Sequence, residues 1–302
     1  MQTNGDDADG KVLSSESAYM QALGHGAAGV IYATRNHRTG YLIVIKVYRE
    51  AEVVSSATAG VIQTIRGGLR NAPRTTYIGA FLDDGYINGH FFITLPLYGL
   101  NLRQVMMSNE LFPLPANHVK AVAYQLLTAV EFLGSLGLVH TDIKPENIVL
   151  CHNTTVVVKT FHGDGLSEKT VLQSPEIRLI DCDGAQSLSP NPVQRYLAGT
   201  CQYRAPEISM EMPWSAPVDV FSIGCVLFEL QTRTCLLHPT DCVYERLADI
   251  EARLGRLPDE FVLQLPTRTR KHLFPTHAGV ESVEDNTRPA KVCVVSNEQH
   301  RN

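Results

Sequence analysis

Hydrophobic and polar positions change their period several times along this chain, and the changes mark out its elements. Tyr41-Leu42-Ile43-Val44-Ile45-Lys46-Val47-Tyr48 is a run of β-branched and aromatic residues, the pattern of a buried strand, carrying a single lysine. Residues 51 to 66 then place Ala51, Val54, Ala57, Val61, Ile62 and Ile65 at roughly helical spacing, and Gly67-Gly68 is expected to end that helix. Two more strands are expected, Thr76 to Leu82 and His90 to Leu95, with Asp83-Asp84-Gly85 punctuating the first. Pro96-Leu97-Tyr98-Gly99 reads as a hinge. From about Ala116 the period turns helical, and the stretch from Val119 to Leu133 is too apolar for a surface helix, so it is expected to be the spine of a second lobe. Ile148 to Leu150 and Ile177 to Ile180 read as strands again. If they pair as a hairpin, Asn147 and Asp181 meet at one end. Between them, residues 151–176 insert one strand-like run, Thr154 to Val158, within polar, glycine-containing sequence, which reads as a surface elaboration or docking site.

Composition narrows the class without deciding the function. With 302 residues and 44% hydrophobic content, the chain can bury one large core or two modest ones. The formal net charge is −5 and no long basic run occurs, which argues against direct nucleic-acid binding and leaves basic partners favoured. Seven cysteines, at 151, 182, 201, 225, 235, 242 and 293, are scattered and never spaced Cys-x-x-Cys, so neither a disulfide framework nor a zinc site is expected. Residues 1–17 are rich in Asp, Gly and Ser and are expected to form a disordered tail; their first ten residues, polar and acidic, are not expected to act as a signal peptide. No run approaches the roughly 18 apolar residues of a membrane span, so no membrane partner is expected.

The chemistry is concentrated from His140 to Asn147, reading His-Thr-Asp-Ile-Lys-Pro-Glu-Asn. Pro145 forbids a continuous helix there, so a carboxylate (Asp142), an ammonium (Lys144) and a carboxamide (Asn147) sit on a shaped loop. A base that orients a hydroxyl, a cation that neutralises the transferred group and an amide oxygen that helps hold magnesium suit in-line phosphoryl transfer. Upstream, Leu23-Gly24-His25-Gly26-Ala27-Ala28-Gly29-Val30-Ile31 spaces its glycines so that backbone N–H groups could approach nucleotide phosphates, although a ligand-free hairpin has the same pattern. Lys46, costly inside an apolar strand unless it meets an anion, would be satisfied by those phosphates or by snorkelling to water. At the hinge, the Pro96 carbonyl and the Tyr98 N–H would suffice for adenine. Asn147 and Asp181 together offer oxygen ligands suited to magnesium, and a turn carboxylate is the plain alternative for Asp181.

These residues resemble a eukaryotic protein kinase. Gly199-Thr200-Cys201-Gln202-Tyr203-Arg204-Ala205-Pro206-Glu207 looks like the segment closing a kinase activation loop. Asp219-Val220-Phe221-Ser222-Ile223-Gly224-Cys225 looks like the following buried helix, whose aspartate caps the catalytic loop's backbone. His-Thr-Asp at 140–142, the insertion 151–176, Trp214-Ser215-Ala216-Pro217 and the partial motif Leu247 to Gly255 are similar to LAMMER (Cdc-like) kinases of the CMGC group. The resemblance implies an α+β bilobal kinase fold over residues 18–275. Its small, mainly β N-lobe runs to about 95, the hinge is 96–99, and the larger, mainly α C-lobe is incomplete at its C-terminal end and is followed by a polar tail, 276–302. It also implies ATP and magnesium as cofactors, and serine/threonine or dual-specificity transfer to protein hydroxyls, with basic, Arg/Ser-rich proteins as substrates. A monomer in the nucleus or cytoplasm accompanies that reading. On it, Asp142, Lys144 and Lys46 are catalytic. Leu23, Gly24, Gly26, Gly29, Ile31, Val44, Lys46, Leu95, Pro96, Leu97 and Tyr98 line the nucleotide site, and Asn147 and Asp181 bind metal.

The departures leave an alternative open. The helix glutamate that pairs with the strand lysine falls on Val61, so Lys46 is expected to lack that partner. Asp-Phe-Gly is replaced by Asp181-Cys182-Asp183 before Gly184, and a one-step shift would put Asp183 at the metal position. The glycine-loop tip is Ala28, and Val44 stands where an alanine lines the adenine pocket. Thr141 replaces the arginine that reads an activation-loop phosphate, and Cys201 replaces an activation-segment arginine. The arginine that would pair with Glu207 is expected to be missing beyond Phe274, leaving that carboxylate either unpaired in the core or exposed. A pseudokinase acting as a nucleotide- or protein-binding regulatory module is therefore the second reading, and a small-molecule phosphotransferase the third.

Overall fold

The lysine-bearing strand lies at the middle of the N-terminal sheet. The computed structural model describes residues 21–25, 29–36, 39–49, 56–72, 75–162, 165–188, 194, 196–267 and 270. Five strands, β1 (Gln21–His25), β2 (Gly29–Arg35), β3 (Leu42–Tyr48), β4 (Asp83–Ile87) and β5 (His90–Pro96), form an antiparallel sheet in the order β1-β2-β3-β5-β4. Helix α1 (Ser56–Asn71) joins it through a small core in which Ile62 meets Tyr48, Phe91 and Ile93. The tails at 1–17 and 276–302, the glycine-loop residues Gly26, Ala27 and Ala28, and the segment around Phe274 lie outside the described residues.

Two N-lobe expectations are corrected. Gly67-Gly68 does not end α1, which runs on to Asn71. A Cβ on Gly68 would stand 2.9 Å from the Leu136 side chain and 3.1 Å from Phe132, so that glycine permits close packing on the C-lobe. The apolar run from Thr76 to Leu82 is not a sheet strand either. Ile78 instead forms a parallel bridge to Leu179, with Gly79 N–H on Leu179 O and Leu179 N–H on Tyr77 O, each at 2.8 Å, which ties the two lobes together. The strand is β4, built from the Asp83-Asp84-Gly85 stretch that reads as punctuation, and a two-residue turn at Asn88-Gly89, both at positive φ, returns the chain into β5.

Beyond the hinge, α2 (Leu102–Met107) starts on a capping box in which Asn101 and Gln104 satisfy each other's backbone N–H groups. Helix α3 (Ala116–Ser135) is the expected spine. Val122, Leu126, Ala129 and Leu133 are sealed in the main core with α5 (Pro217–Thr232). Short pairs complete the site's floor: β6 (Leu138–Val139) with β11 (Gln186–Ser187), and β7 (Ile148–Leu150) with β10 (Ile177–Leu179), the expected hairpin. The insertion holds a pair of strands rather than one, β8 (Thr155–His162) and β9 (Gly165–Leu172), registered from Thr155 opposite Leu172 to His162 opposite Gly165. Helices α4 (Pro206–Ser209), α6 (Val243–Leu254) and α7 (Asp259–Gln264) follow, and Leu247, Ile250, Leu257 and Val262 form a second core with Met210 and Met212. Among the described residues no helix is long and apolar enough to cross a membrane.

Candidate active site

The loop between β6 and β7 is held from below by a buried carboxylate. Asp219 in the first turn of α5 accepts the His140 N–H and the Thr141 N–H, each at 2.8 Å. Burial pushes its pKa up, partly offset by His140 and those two donors. His140 donates from Nε2 to Ile180 O (2.9 Å) while its Nδ1 faces the Asp142 N–H (3.2 Å), so the ring links the loop to the end of β10. Thr141 sits at φ +68°, a conformation costly for a β-branched residue, and the Asp219 bonds hold it there. Pro145 opens a short 3₁₀ turn, Pro145–Asn147, as its missing N–H permits.

This framework delivers Asp142, Lys144 and Asn147 to one place. Lys144 Nζ donates to Asp142 Oδ2 (2.7 Å), and Asn147 Nδ2 donates to the Asp142 carbonyl (2.9 Å). Thr200, from the segment before α4, donates both its N–H (3.0 Å) and its hydroxyl (2.5 Å) to Asp142 Oδ1, and accepts from Lys144 Nζ at 3.0 Å. Burial would raise the Asp142 pKa, but the bonds from Lys144 and Thr200 outweigh it and hold the carboxyl below its usual range. Ionised and engaged by these donors, Asp142 is suited to aiming a hydroxyl rather than stripping it early. Gly199, at φ +75°, lies against the Thr141 carbonyl where a Cβ would overlap it, which brings Thr200 this close.

Asn147 and Asp181 meet as the hairpin requires: Ile180 donates its N–H to Asn147 O at 2.9 Å, and Asp181 follows at φ +66°. Asp181 Oδ1 accepts from Lys46 Nζ at 2.6 Å. Burial would raise its pKa, but Lys46 lowers it further. The strand lysine thus does not snorkel to water; it is buried, and its expected isolation is corrected, because Asp183 Oδ2 stands 2.8 Å from Nζ. Burial works against the ammonium, yet Asp183 and Asp181 together raise its pKa. Asp183 therefore lies on the lysine while Asp181 ends the strand beside Asn147. With its amide N–H engaged, Asn147 keeps its oxygen, and Asp181 is 43% exposed at its side chain. An oxygen pair completed by phosphates fits magnesium, which rarely takes an all-protein cage, and no cluster of three metal-ligating side chains occurs among the described residues.

The residues expected to line the nucleotide site align across the sheet. Cross-strand partners share a face, so Gly24 opposite Ile31, Ile31 opposite Lys46, and Val44 opposite Leu95 put those side chains on the face that carries the lysine. Leu23 is half exposed at the bulge in β1, and Gly26 lies outside the described residues. Gly29 lies against the Val47 carbonyl so closely that any Cβ would overlap it. At the hinge, Pro96 ends β5 opposite Ile43 and Leu97 is exposed. Tyr98 turns its hydroxyl to accept the Ala80 N–H at 3.1 Å, and Gly99 N–H bonds Leu150 O at 2.8 Å.

Several supporting residues were not legible as such. Thr200 carries no local signal of its contact with Asp142. Tyr48 could have been found: two positions after Lys46, it shares that face of β3, and its hydroxyl reaches Asp183. Arg103 of α2 bridges Glu146 (2.8 Å), the Tyr203 hydroxyl (2.8 Å) and Glu229 of α5, and Tyr203 donates to Glu229 at 2.6 Å. That network joins catalytic loop, activation segment and helical core. Glu207 is half-buried, forms no ion pair among the described residues, and has its pKa raised by burial.

The description of a protein kinase domain matches residues 18–270. The chain belongs to the protein kinase family. Its kinase relatives include the dual specificity protein kinase lkh1 of Schizosaccharomyces pombe, 34% identical over 89% of this chain and 38% of that protein. The dual specificity protein kinase CLK1 of Homo sapiens is 30% identical over 87% of this chain and 53% of that protein, and the serine/threonine-protein kinase Doa of Drosophila melanogaster is 30% identical over 84% and 31%. These matches bear out the LAMMER-like resemblance. The chain spans about half the length, or less, of these curated relatives. A solved crystal structure of a kinase domain superposes with a TM-score of 0.74 at 22% identity, covering 88% of this chain and 78% of that one, and shows the fold. Kinases of this family use ATP and magnesium and act on protein substrates.

Proposed function

We propose that this chain is an ATP-dependent protein kinase that transfers the γ-phosphoryl group to serine, threonine or, with dual specificity, tyrosine hydroxyls of proteins, through a kinase domain spanning residues 18–275. One observation carries the reading. A continuous chain of contacts runs from Lys46 to Asp181, across the hairpin end to Asn147, and on to Asp142 and Lys144, so the five polar groups the chemistry needs lie together. Lys46 holds the α- and β-phosphates, Asp142 orients the attacking hydroxyl, and Lys144 stabilises charge on the group in transfer. Val44, Leu95 and the hinge at Pro96 to Tyr98 would hold adenine, and the backbone of Leu23, Gly24, Gly29 and Ile31 would approach the phosphates. Asn147 and Asp181 would hold magnesium, which when bound supplies neutralisation of phosphate charge.

The pseudokinase reading is not favoured: the relatives are protein kinases, and one of its supports, a lysine without a partner, does not hold, because Asp183 and Asp181 both contact Lys46. The segment from Gly199 to Glu207 and the Asp219 anchor support a protein substrate over a small molecule. The LAMMER-like resemblance, with the compatible net charge of −5, supports basic Arg/Ser-rich substrates. A monomer located in the nucleus or cytoplasm completes the proposal.

Two measurements test it. Calorimetry with Mg-ATP should show binding that Lys46→Met weakens by roughly tenfold or more, as loss of a charge-assisted contact would. A peptide array should show transfer to Arg/Ser-rich sequences. Absence of nucleotide binding by the intact chain, or transfer only to small-molecule acceptors, would overturn the reading.

A further inference from the structure

We propose that Asp183, braced by Tyr48, is the positioning residue that holds Lys46 for phosphate binding, doing from the turn after β10 what α1 does not do from Val61. The proposal rests on the kinase reading of the site. Val61 is buried in the same core cluster as Ile65, Cys182 and Ala185, so at that position α1 presents an apolar side chain and no carboxylate. The turn that packs against α1 carries the missing charge instead. Asp183 is 5% exposed, and its Oδ2 accepts from Lys46 Nζ at 2.8 Å and from the Tyr48 hydroxyl. Tyr48 shares a face of β3 with Lys46, and Nζ lies 5.2 Å from its ring centroid.

The two carboxylates on Lys46 are not equivalent. Asp181 is exposed enough at its side chain to meet a ligand and ends the strand beside Asn147, so a metal would draw on its charge. Asp183 is buried between Lys46 and Tyr48, away from the exposed side on which Asp181 would meet a metal. A buried ammonium needs such a fixed partner. The lysine's anchor is therefore carried by the magnesium-binding turn, which packs against α1, rather than by a side chain of the helix.

The test compares Asp183→Gly, Asp183→Asn, Tyr48→Phe and the double variant Asp183→Gly/Val61→Glu, with thermal melts confirming that each is folded. Asp183→Gly and Asp183→Asn should lower kcat/KM for ATP by about 10- to 100-fold, the size of a charge-assisted contact, and Tyr48→Phe by less. The double variant should recover part of the loss, which a merely structural role would not allow. A second arm needs no nucleotide: acylation of Lys46, followed by mass spectrometry, should be faster in Asp183→Asn than in wild type and slow again in the double variant. If wild type transfers no phosphate, the kinase reading fails and the acylation arm alone decides the pairing. Wild-type values for Asp183→Asn in either working arm, or a double variant no better than Asp183→Gly, would overturn the proposal.

Discussion

Replacing Asp219 with asparagine removes one of the two bonds by which α5 holds the catalytic loop. The carboxylate accepts two backbone N–H groups at 2.8 Å each, from His140 and Thr141, in a site where the residue is 2% exposed. Hydrogen bonds to a charged acceptor contribute about 1.5–3 kcal/mol each. The carboxamide keeps one acceptor and turns an N–H₂ toward the other donor, so one bond is lost and two donors oppose each other. Relief of the buried charge returns part of the loss, because burial already disfavours the ionised carboxyl. A net cost of about 2–4 kcal/mol follows, which for a domain of this size lowers Tm by roughly 5–12 °C. Thr141, no longer held at positive φ, should relax and carry Asp142 with it, so kcat should fall more than KM rises. Circular-dichroism melts and steady-state kinetics on one preparation read both effects. A Tm within about 1 °C of wild type together with unchanged kcat would refute the reasoning.

Other changes act on separate supports. Glu229→Ala leaves the Arg103 guanidinium and the Tyr203 hydroxyl without their shared partner in the core and should cost on the order of 3 kcal/mol by denaturant unfolding; a Leu substitution at the same site should not restore it. Gly199→Ala should cost a similar amount, because the new Cβ overlaps the Thr141 carbonyl at a φ that alanine resists, and should cut kcat with little change in ATP affinity. The pH dependence follows from Asp142 and Asp181, whose folded pKa values lie below 3.8, and from Lys46, whose folded pKa lies above 10.5. The carboxylates stabilise the fold fully above 3.8 and lose that contribution as pH falls through their folded values, whereas the lysine's contribution is present below 10.5 and lost only as pH rises beyond it. The Tm gap between wild type and Asp142→Asn should therefore hold steady through neutral pH and close on acidification below 3.8; a gap that widens there would contradict the assignment.

The catalytic loop and α3 were legible because each carries its signal locally, as a motif or a helical period. Strand β4 was not: Asp83 and Asp84 are poor strand formers, but β4 is the outermost strand of its sheet, where charged residues are tolerated and protect against further pairing. The far end of α1 was misread because Gly68 answers to Leu136 and Phe132 on another element rather than to the helix itself. The same limit hid the central feature of the site. Val61 shows that a carboxylate is missing, and nothing near it reports that Asp183, distant along the chain, stands on Lys46 instead. Only the fold brings the turn after β10 against both α1 and β3, whereas Asn147 and Asp181 could be paired from the two strand signals flanking the insertion.

The central claim is that Asp142 directs phosphoryl transfer in this chain. Transfer of labelled γ-phosphate from Mg-ATP to an Arg/Ser-rich peptide, measured for wild type and for Asp142→Asn with matched melts, tests it most directly. The account requires robust transfer by wild type and at least a hundredfold less by the variant, whose ATP affinity should stay close to wild type. Equal transfer by the two proteins, or none by either while ATP still binds, would contradict it.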